Sequence, residues 1–212
     1  MMSVAMVSSL ELLKNYLSDL NVSRETISKY EIYFELLNQW NKAICLVQEK
    51  TLSDFMIRHI IDSLQIIPFI HDINAKIIDI GSGAGFPGLA LAIYGYTNIT
   101  LVESNRKKTI FLSEVSRKVK APVNILNERA ENIEDKYDII TSRACSSLSN
   151  LLLLMINFSR ETSVGIFHKG ETFFAEIQKA QSEWDFDYQL KDSITDKNSK
   201  IIVVENVGKK HG

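Results

Sequence analysis

The sequence predicts an α/β fold: a doubly wound, mainly parallel sheet behind an N-terminal helical cap. Three observations predict it. Apolar residues recur at helical spacing up to about residue 67, the texture turns to β-branched runs at Lys76, and strand and helix patterns then alternate to about residue 181. With 212 residues, 45% of them hydrophobic, the chain has room for one sizeable core and an accessory segment. The expected division is a helical cap over residues 1–74 and a larger domain over 75–212.

The cap opens with two amphipathic helices, Leu10 to Leu20 and Arg24 to Trp40; Ile27, Tyr30, Phe34, Leu37 and Trp40 form one stripe of the second. Ser23 precedes it as an N-cap, its hydroxyl able to accept from a free first-turn amide. A third helix is expected from Leu52 to about Ile67, where Pro68 discourages continuation. Strands are expected at Ile77 to Ile80, Ile99 to Glu103, Val123 to Leu126, Tyr137 to Thr141 and Ser163 to Phe167. Helices from Phe86 to Tyr94, Lys107 to Val119, near Ala130 and from Leu148 to Phe158 separate them. After a last helix, Glu171 to Gln181, the segments Trp184 to Leu190 and Lys200 to Val204 read as a hairpin joined by Asp192 to Ser199. Such a hairpin places one antiparallel strand in the sheet.

Twenty-four Lys and Arg against 26 Asp and Glu give a formal net charge of -2, which excludes a general positive coat for nucleic acid. Binding to RNA then needs a local patch, and Arg106, Lys107, Lys108, Arg117, Lys118 and Lys120 supply a candidate. A solvated helix face carries the same charges. Cys45 and Cys145 show no metal-ligand spacing and no disulfide framework, so no metal is expected. The apolar runs are too short to cross a bilayer, and no leader pattern opens the sequence, so the expected location is the cytoplasm.

The most informative stretch is Asp79-Ile80-Gly81-Ser82-Gly83-Ala84-Gly85-Phe86-Pro87-Gly88, at the handover from the first strand to the first helix of the sheet. Ligands of open α/β sheets bind at that address. Glycines permit positive φ and remove the Cβ atoms that hold a ligand off the main chain. A dinucleotide fingerprint needs its third glycine three positions after the second, where Phe86 stands; the spacing is Gly-x-Gly-x-Gly. With Asp79 ahead of the first glycine, this resembles the first motif of class I S-adenosylmethionine methyltransferases. Glu103, 22 positions beyond Gly81, ends the second strand, where a carboxylate accepts from both ribose hydroxyls. An NAD enzyme uses the same acid, so Glu103 points to a nucleoside without naming it. Ala130 follows the third strand, where an adenine edge is expected. Arg143 follows the fourth, at the carboxyl edge of the sheet.

Taken together, Arg58-His59-Ile60-Ile61-Asp62-Ser63, the glycine loop, Glu103 with Lys107-Lys108, Arg129-Ala130-Glu131, Thr141-Ser142-Arg143-Ala144 and His168-Lys169-Gly170 resemble the ribosomal small subunit methyltransferase G family over about residues 35 to 170. The resemblance implies a class I methyltransferase domain over 75–212, with S-adenosylmethionine as donor and N7 of a guanine in 16S rRNA as acceptor. It further implies cofactor contacts at Gly81, Phe86, Ala130, Glu131 and Arg143, to which position in the loop adds Gly83 and Gly85, and position at the strand end adds Glu103. Phe86 replaces the leucine of many relatives, and Leu46-Val47 replaces a Leu-Thr.

Chemistry fits what the sequence lacks. No Asn-Pro-Pro-Tyr or Asp-Pro-Pro-Tyr tetrapeptide follows the fourth strand, which disfavours exocyclic amines, and neither cysteine stands in a proline-cysteine setting. Cys145 is expected as a buried helix-start residue. Guanine N7 offers a bare lone pair, so transfer requires alignment and no obligatory base; no catalytic base is assigned. Arg58, His59, Lys107 and Lys169 are candidates for holding RNA phosphates, although His59 and His168 fit packed, hydrogen-bonded places equally well. The expected partner is 16S rRNA or the small subunit, met by a monomer. Three alternatives stand beside this reading: a methyltransferase for a protein or small molecule, a nucleotide- or NAD-binding module, and a scaffold with a vestigial pocket.

Overall fold

A computed structural model describes residues 11, 13, 15–16, 20, 22–143 and 146–210. Of the first expected helix, residues 11, 13, 15 and 16 are helical, and the rest lies outside the described residues, as do Ala144 and Cys145. Helix α1, Arg24–Asn41, begins as expected: Ser23 Oγ accepts Thr26 N at 3.1 Å. Its buried face carries Ile27, Tyr30, Tyr33, Leu36 and Leu37. Two tyrosines on that face keep their hydroxyls satisfied across the interface, Tyr30 donating to Ala90 O at 2.9 Å and Tyr33 to Ala84 O.

The expected third helix does not form as a regular helix. Residues 52–55 are largely turn, Met56–Ile61 winds as a π-helix, and one α turn, α2 (Asp62–Leu64), follows. Asp62 N, which would reach Arg58 O in an α-helix, bonds Ile57 O and His59 O instead. Arg58 O then accepts from Arg143 Nη1 at 3.0 Å, a tie across 85 positions that local periodicity cannot anticipate.

From residue 77 the alternation holds. The strands are β1 (Ile77–Ile80), β2 (Ile99–Val102), β3 (Asn124–Leu126), β4 (Tyr137–Arg143), β5 (Ser159–Lys169), β6 (Trp184–Asp192) and β7 (Lys200–Lys209). Helices α3 (Gly88–Tyr94), α4 (Arg106–Val119), α5 (Leu148–Phe158) and α6 (Phe173–Glu183) alternate with them. Together the strands form one sheet in the order β3-β2-β1-β4-β5-β7-β6. Neighbours from β3 to β5 pair parallel; β7 runs antiparallel to both β5 and β6, the strand expected from the C-terminal hairpin.

Both faces of the sheet are covered, so successive strand residues enter different cores. Ile77, Ile166 and Ile201 pack with Tyr30, Tyr33, Leu89, Phe111 and Val115 on the side of α1, α3 and α4. Ile78, Phe167 and Ile202 pack with Leu151, Met155, Phe158 and Ile177 on the side of α5 and α6. Residues before 75 therefore share one core with the sheet domain. No helix among the described residues is long and apolar enough to cross a membrane.

Candidate functional site

The carboxyl ends of β1 and β2 frame a cleft of about 800 Å³, a size suited to a nucleoside-sized ligand. Its floor is the glycine turn. Gly81, Gly83 and Gly85 have φ of 65°, 57° and 98°, values that side-chain-bearing residues rarely adopt. A Cβ on Gly83 would meet only Gly81 O at 3.7 Å, so that backbone stands open to an approaching molecule. Gly85 faces the other way. A Cβ there would come within 2.6 Å of Tyr33 Oη and 2.9 Å of Leu89 Cβ, so this glycine packs the turn against the cap, off the cleft wall.

Two carboxylates set the shape of the turn. Asp79, fully buried, accepts Gly88 N at 3.1 Å on Oδ2 and sits 3.2 Å from Thr141 Oγ1 on Oδ1, capping the start of α3. Burial raises its pKa to about 7 against the lowering pull of these bonds. Glu103 accepts Gly83 N at 3.0 Å and Asn105 N at 2.7 Å, one amide per oxygen. Each oxygen keeps a lone pair, and the side chain lines the cleft.

Arg143 ties three segments together. Its Nη1 donates to Arg58 O and to Asp62 Oδ2, both at 3.0 Å, and its Nη2 lies 3.0 Å from His59 Nδ1. The guanidinium also stands 4.7 Å over the Phe86 ring. Phe86 stacks in turn on His59 and Tyr33, with ring centroids 4.9 and 5.2 Å apart. Arginine only donates, so His59 Nδ1 accepts, and the Nε2 proton goes to Thr51 Oγ1 at 2.9 Å. Burial, with the Arg143 charge second, lowers the His59 pKa to about 3, so the ring is neutral. Burial opposes ionisation of Asp62, but His168, Arg143 and Thr195 outweigh it and hold the carboxyl below its usual range.

A pH dependence follows from two of these groups. Between pH 6.5 and about 3 the unfolded chain binds a proton at His59 that the folded chain refuses, so His59 costs stability as pH falls below 6.5. Asp79 acts oppositely: its folded pKa lies above the unfolded 3.8, so its contribution is lost as pH rises towards about 7. Replacing His59 with Leu is expected to lower the urea midpoint at about pH 7 relative to that at about pH 5, compared with the parent, because the His59 slope that opposes that of Asp79 is removed.

Of the residues expected from the sequence, Gly81, Gly83, Phe86, Glu103, Ala130, Glu131, Arg143, Arg58 and His59 line this cleft. Lys107 is exposed and lies off it; Lys108, one position on, reaches the wall. Lys169 is 6% exposed and bonded to Ser146 O at 2.6 Å and Glu176 Oε2 at 2.9 Å, beside an adjoining cleft. His59 is packed and neutral, and Arg58 pairs with Asp196 at 3.1 Å. Sequence reasoning missed the rim. Cys45 to Gln48 and Thr51 come from the cap, and Thr195 and Asp196 come from the β6–β7 connection, which folds back to the cap through Thr195 Oγ1 to Asp62 Oδ1 at 2.6 Å and Ile194 N to Gln65 Oε1 at 3.0 Å.

The comparisons with known proteins agree with this geometry. The model of the family described as rRNA small subunit methyltransferase G matches residues 26–204. Ribosomal RNA small subunit methyltransferase G of Rickettsia prowazekii is 39% identical over 193 residues, covering 90% of this chain and 99% of that protein. The protein of the same name from Orientia tsutsugamushi is 40% identical over 87% of this chain and 93% of its own length. Among solved structures, magnesium protoporphyrin IX methyltransferase from Synechocystis, with bound S-adenosylmethionine, superposes with TM-score 0.59 at 12% identity, covering 88% of this chain and 99% of that one. The ribosomal protein L11 methylase of Lactobacillus delbrueckii gives 0.54 at 14% identity over 71% of this chain and 78% of that one, so these two likenesses speak for the fold. The chain belongs to the rRNA small subunit methyltransferase G family, and its sheet is that of an S-adenosylmethionine-dependent methyltransferase.

Proposed function

We propose that the chain methylates N7 of a guanine in 16S rRNA, acting as a monomer in the cytoplasm on rRNA or the small subunit, without a metal. One observation carries the reading: the family match runs from residue 26 to residue 204 and so spans every wall of a cleft whose floor is a glycine turn pinned to Glu103. The residues present fit S-adenosylmethionine. Gly83 leaves its backbone uncovered, and the free lone pairs of Glu103 suit a vicinal diol. Ala130 and Glu131 line the wall at the end of β3, where a base edge is expected. When bound, the donor supplies an electrophilic methyl group on a sulfonium sulfur. The protein's part is alignment and exclusion of water, since a bare lone pair needs no proton removed.

Replacing Glu103 with Ala is expected to weaken S-adenosylmethionine binding about ten- to hundredfold by calorimetry, through lost charge-assisted bonds and a loosened Gly83. Mapping 7-methylguanosine in rRNA from cells with and without the protein tests the acceptor. Labelling of a protein or a small molecule, with rRNA unchanged, would replace the RNA reading by one of its alternatives.

A further inference from the structure

A second cleft, of about 650 Å³, opens beside the first and shares Asp62, Arg143, Ser146 and Ser199 with it. It lies at the carboxyl ends of β4 and β5, under the connection between β6 and β7. Its polar wall is organised about Glu176, in the first turn of α6. Oε2 of that carboxylate accepts Lys169 Nζ and Leu148 N, both at 2.9 Å, while on Oε1 the one partner among the described residues is Thr172 Oγ1 at 3.1 Å. The side chain of Glu176 is 24% exposed and that of Lys169 only 5%. Burial opposes the charge on Glu176, but the Lys169 ammonium and the amide of Leu148 outweigh it and hold the carboxyl below its usual range.

The lysines on this wall are already matched. Lys169 pairs with Glu176 and Lys200 with Asp192. His168 donates through Nε2 to Asp62 O at 2.8 Å, and its Nδ1 has no partner among the described residues. The wall therefore presents spare acceptor capacity rather than unpaired positive charge. That is a poor seat for a phosphate and a good one for an edge rich in N–H donors.

Guanine has such an edge. Its N1–H and exocyclic N2–H lie on the side of the ring system opposite N7, whereas adenine offers a bare N1 at the same place. We propose that the second cleft receives the acceptor guanine, with Glu176 Oε1 accepting from N1–H while N7 faces the first cleft past the residues the two share. The inference rests on the guanine-N7 reading above. In the transfer the N7 lone pair forms the new bond to the methyl carbon, the carbon–sulfur bond breaks with its electrons left on sulfur, and the positive charge passes to the purine without any proton moving. That charge makes N1–H a stronger donor. The contact with Glu176 tightens as the reaction proceeds, so the residue favours guanine and also steadies the cationic product. An unprotonated adenine N1 would instead set a lone pair against the carboxylate.

The test uses the full chain, methyl-labelled S-adenosylmethionine and small ribosomal subunits from cells lacking the enzyme. Glu176→Gln keeps an oxygen for Leu148 N and Lys169 but puts an amide where the second acceptor stood. Its kcat/KM is expected to fall about ten- to hundredfold with cofactor affinity near that of the parent, and its melting temperature to drop because the buried Lys169 ammonium loses its counter-charge. Glu176→Asp, shorter but charged, should recover part of the loss and carries the test should the glutamine variant not fold. An unchanged kcat/KM overturns the proposal. So does a folded aspartate variant no better than the glutamine one, or a loss matched by an equal loss of cofactor affinity, either of which would assign the carboxylate to the fold. Failure of the parent enzyme to label either the subunits or free 16S rRNA would overturn the guanine reading itself, and this inference with it.

Discussion

Gly85→Ala is expected to destabilise the protein by about 4 kcal/mol. Two costs add. At φ 98° an alanine is strained by about 1–3 kcal/mol, and its Cβ would lie 2.6 Å from Tyr33 Oη, 2.9 Å from Leu89 Cβ and 3.0 Å from Leu112 Cδ2. Overpacking of that kind costs about 1–3 kcal/mol more. Tyr33 cannot swing away freely, because its hydroxyl donates to Ala84 O and its ring is stacked on Phe86. Urea titration should show a lower midpoint at unchanged slope. Gly83→Ala is the control: with nothing closer than 3.7 Å it should cost only about 1–2 kcal/mol, from its φ of 57°. Equal losses in the two variants would refute the role given to Gly85.

Arg143→Met should cost about 3 kcal/mol, at the lower end of the range for breaking a buried ion pair, since the Arg143 and Asp62 side chains are 17% and 16% exposed. Removing the guanidinium strands Asp62 Oδ2, Arg58 O and His59 Nδ1 together. The π-wound segment loses its hold on the sheet, so the amides of residues 56–64 should exchange with solvent faster than those of β1. Lysine at 143 keeps the charge but lacks the planar fork that reaches three acceptors, and should fall between parent and methionine. A double-mutant cycle with Asp62→Asn should give a coupling of about 1–3 kcal/mol. Additive losses would mean that the pair is incidental.

What the sequence displays is what repeats locally. Short runs rich in β-branched or aromatic residues placed all seven strands, and Gly-x-Gly-x-Gly before a helical pattern marked the turn with positive φ. The last strand was read short: β7 extends to Lys209 rather than Val204, because pairing with β6 continues past the apolar residues. Misses have one cause. The π-wound segment, the return of residues 193–199 to the cap and the Arg143–Asp62 tie are made by side chains separated by 81 to 138 positions, and such pairs leave no periodic trace. Asp79 was visible as an acid before the first glycine, but its grip on Gly88 N depends on the curl of the turn. Lys107 and Lys169 were chosen as cations near the expected cofactor edge; the burial and pairing of Lys169, and the place of exposed Lys107 off the cleft, belong to the folded chain.

The position of β7 bears on the order of events during synthesis. Residues 200–209 come late in the chain yet lie inside the sheet, with β5 on one side and β6 on the other. An emerging polypeptide can zip β1 to β5 by parallel pairing as it leaves the ribosome, but β6 has no neighbour until the final strand arrives between them. A nascent chain halted before residue 200 should therefore hold β6 as a loose ribbon and leave the outer edge of β5 open to stray partners.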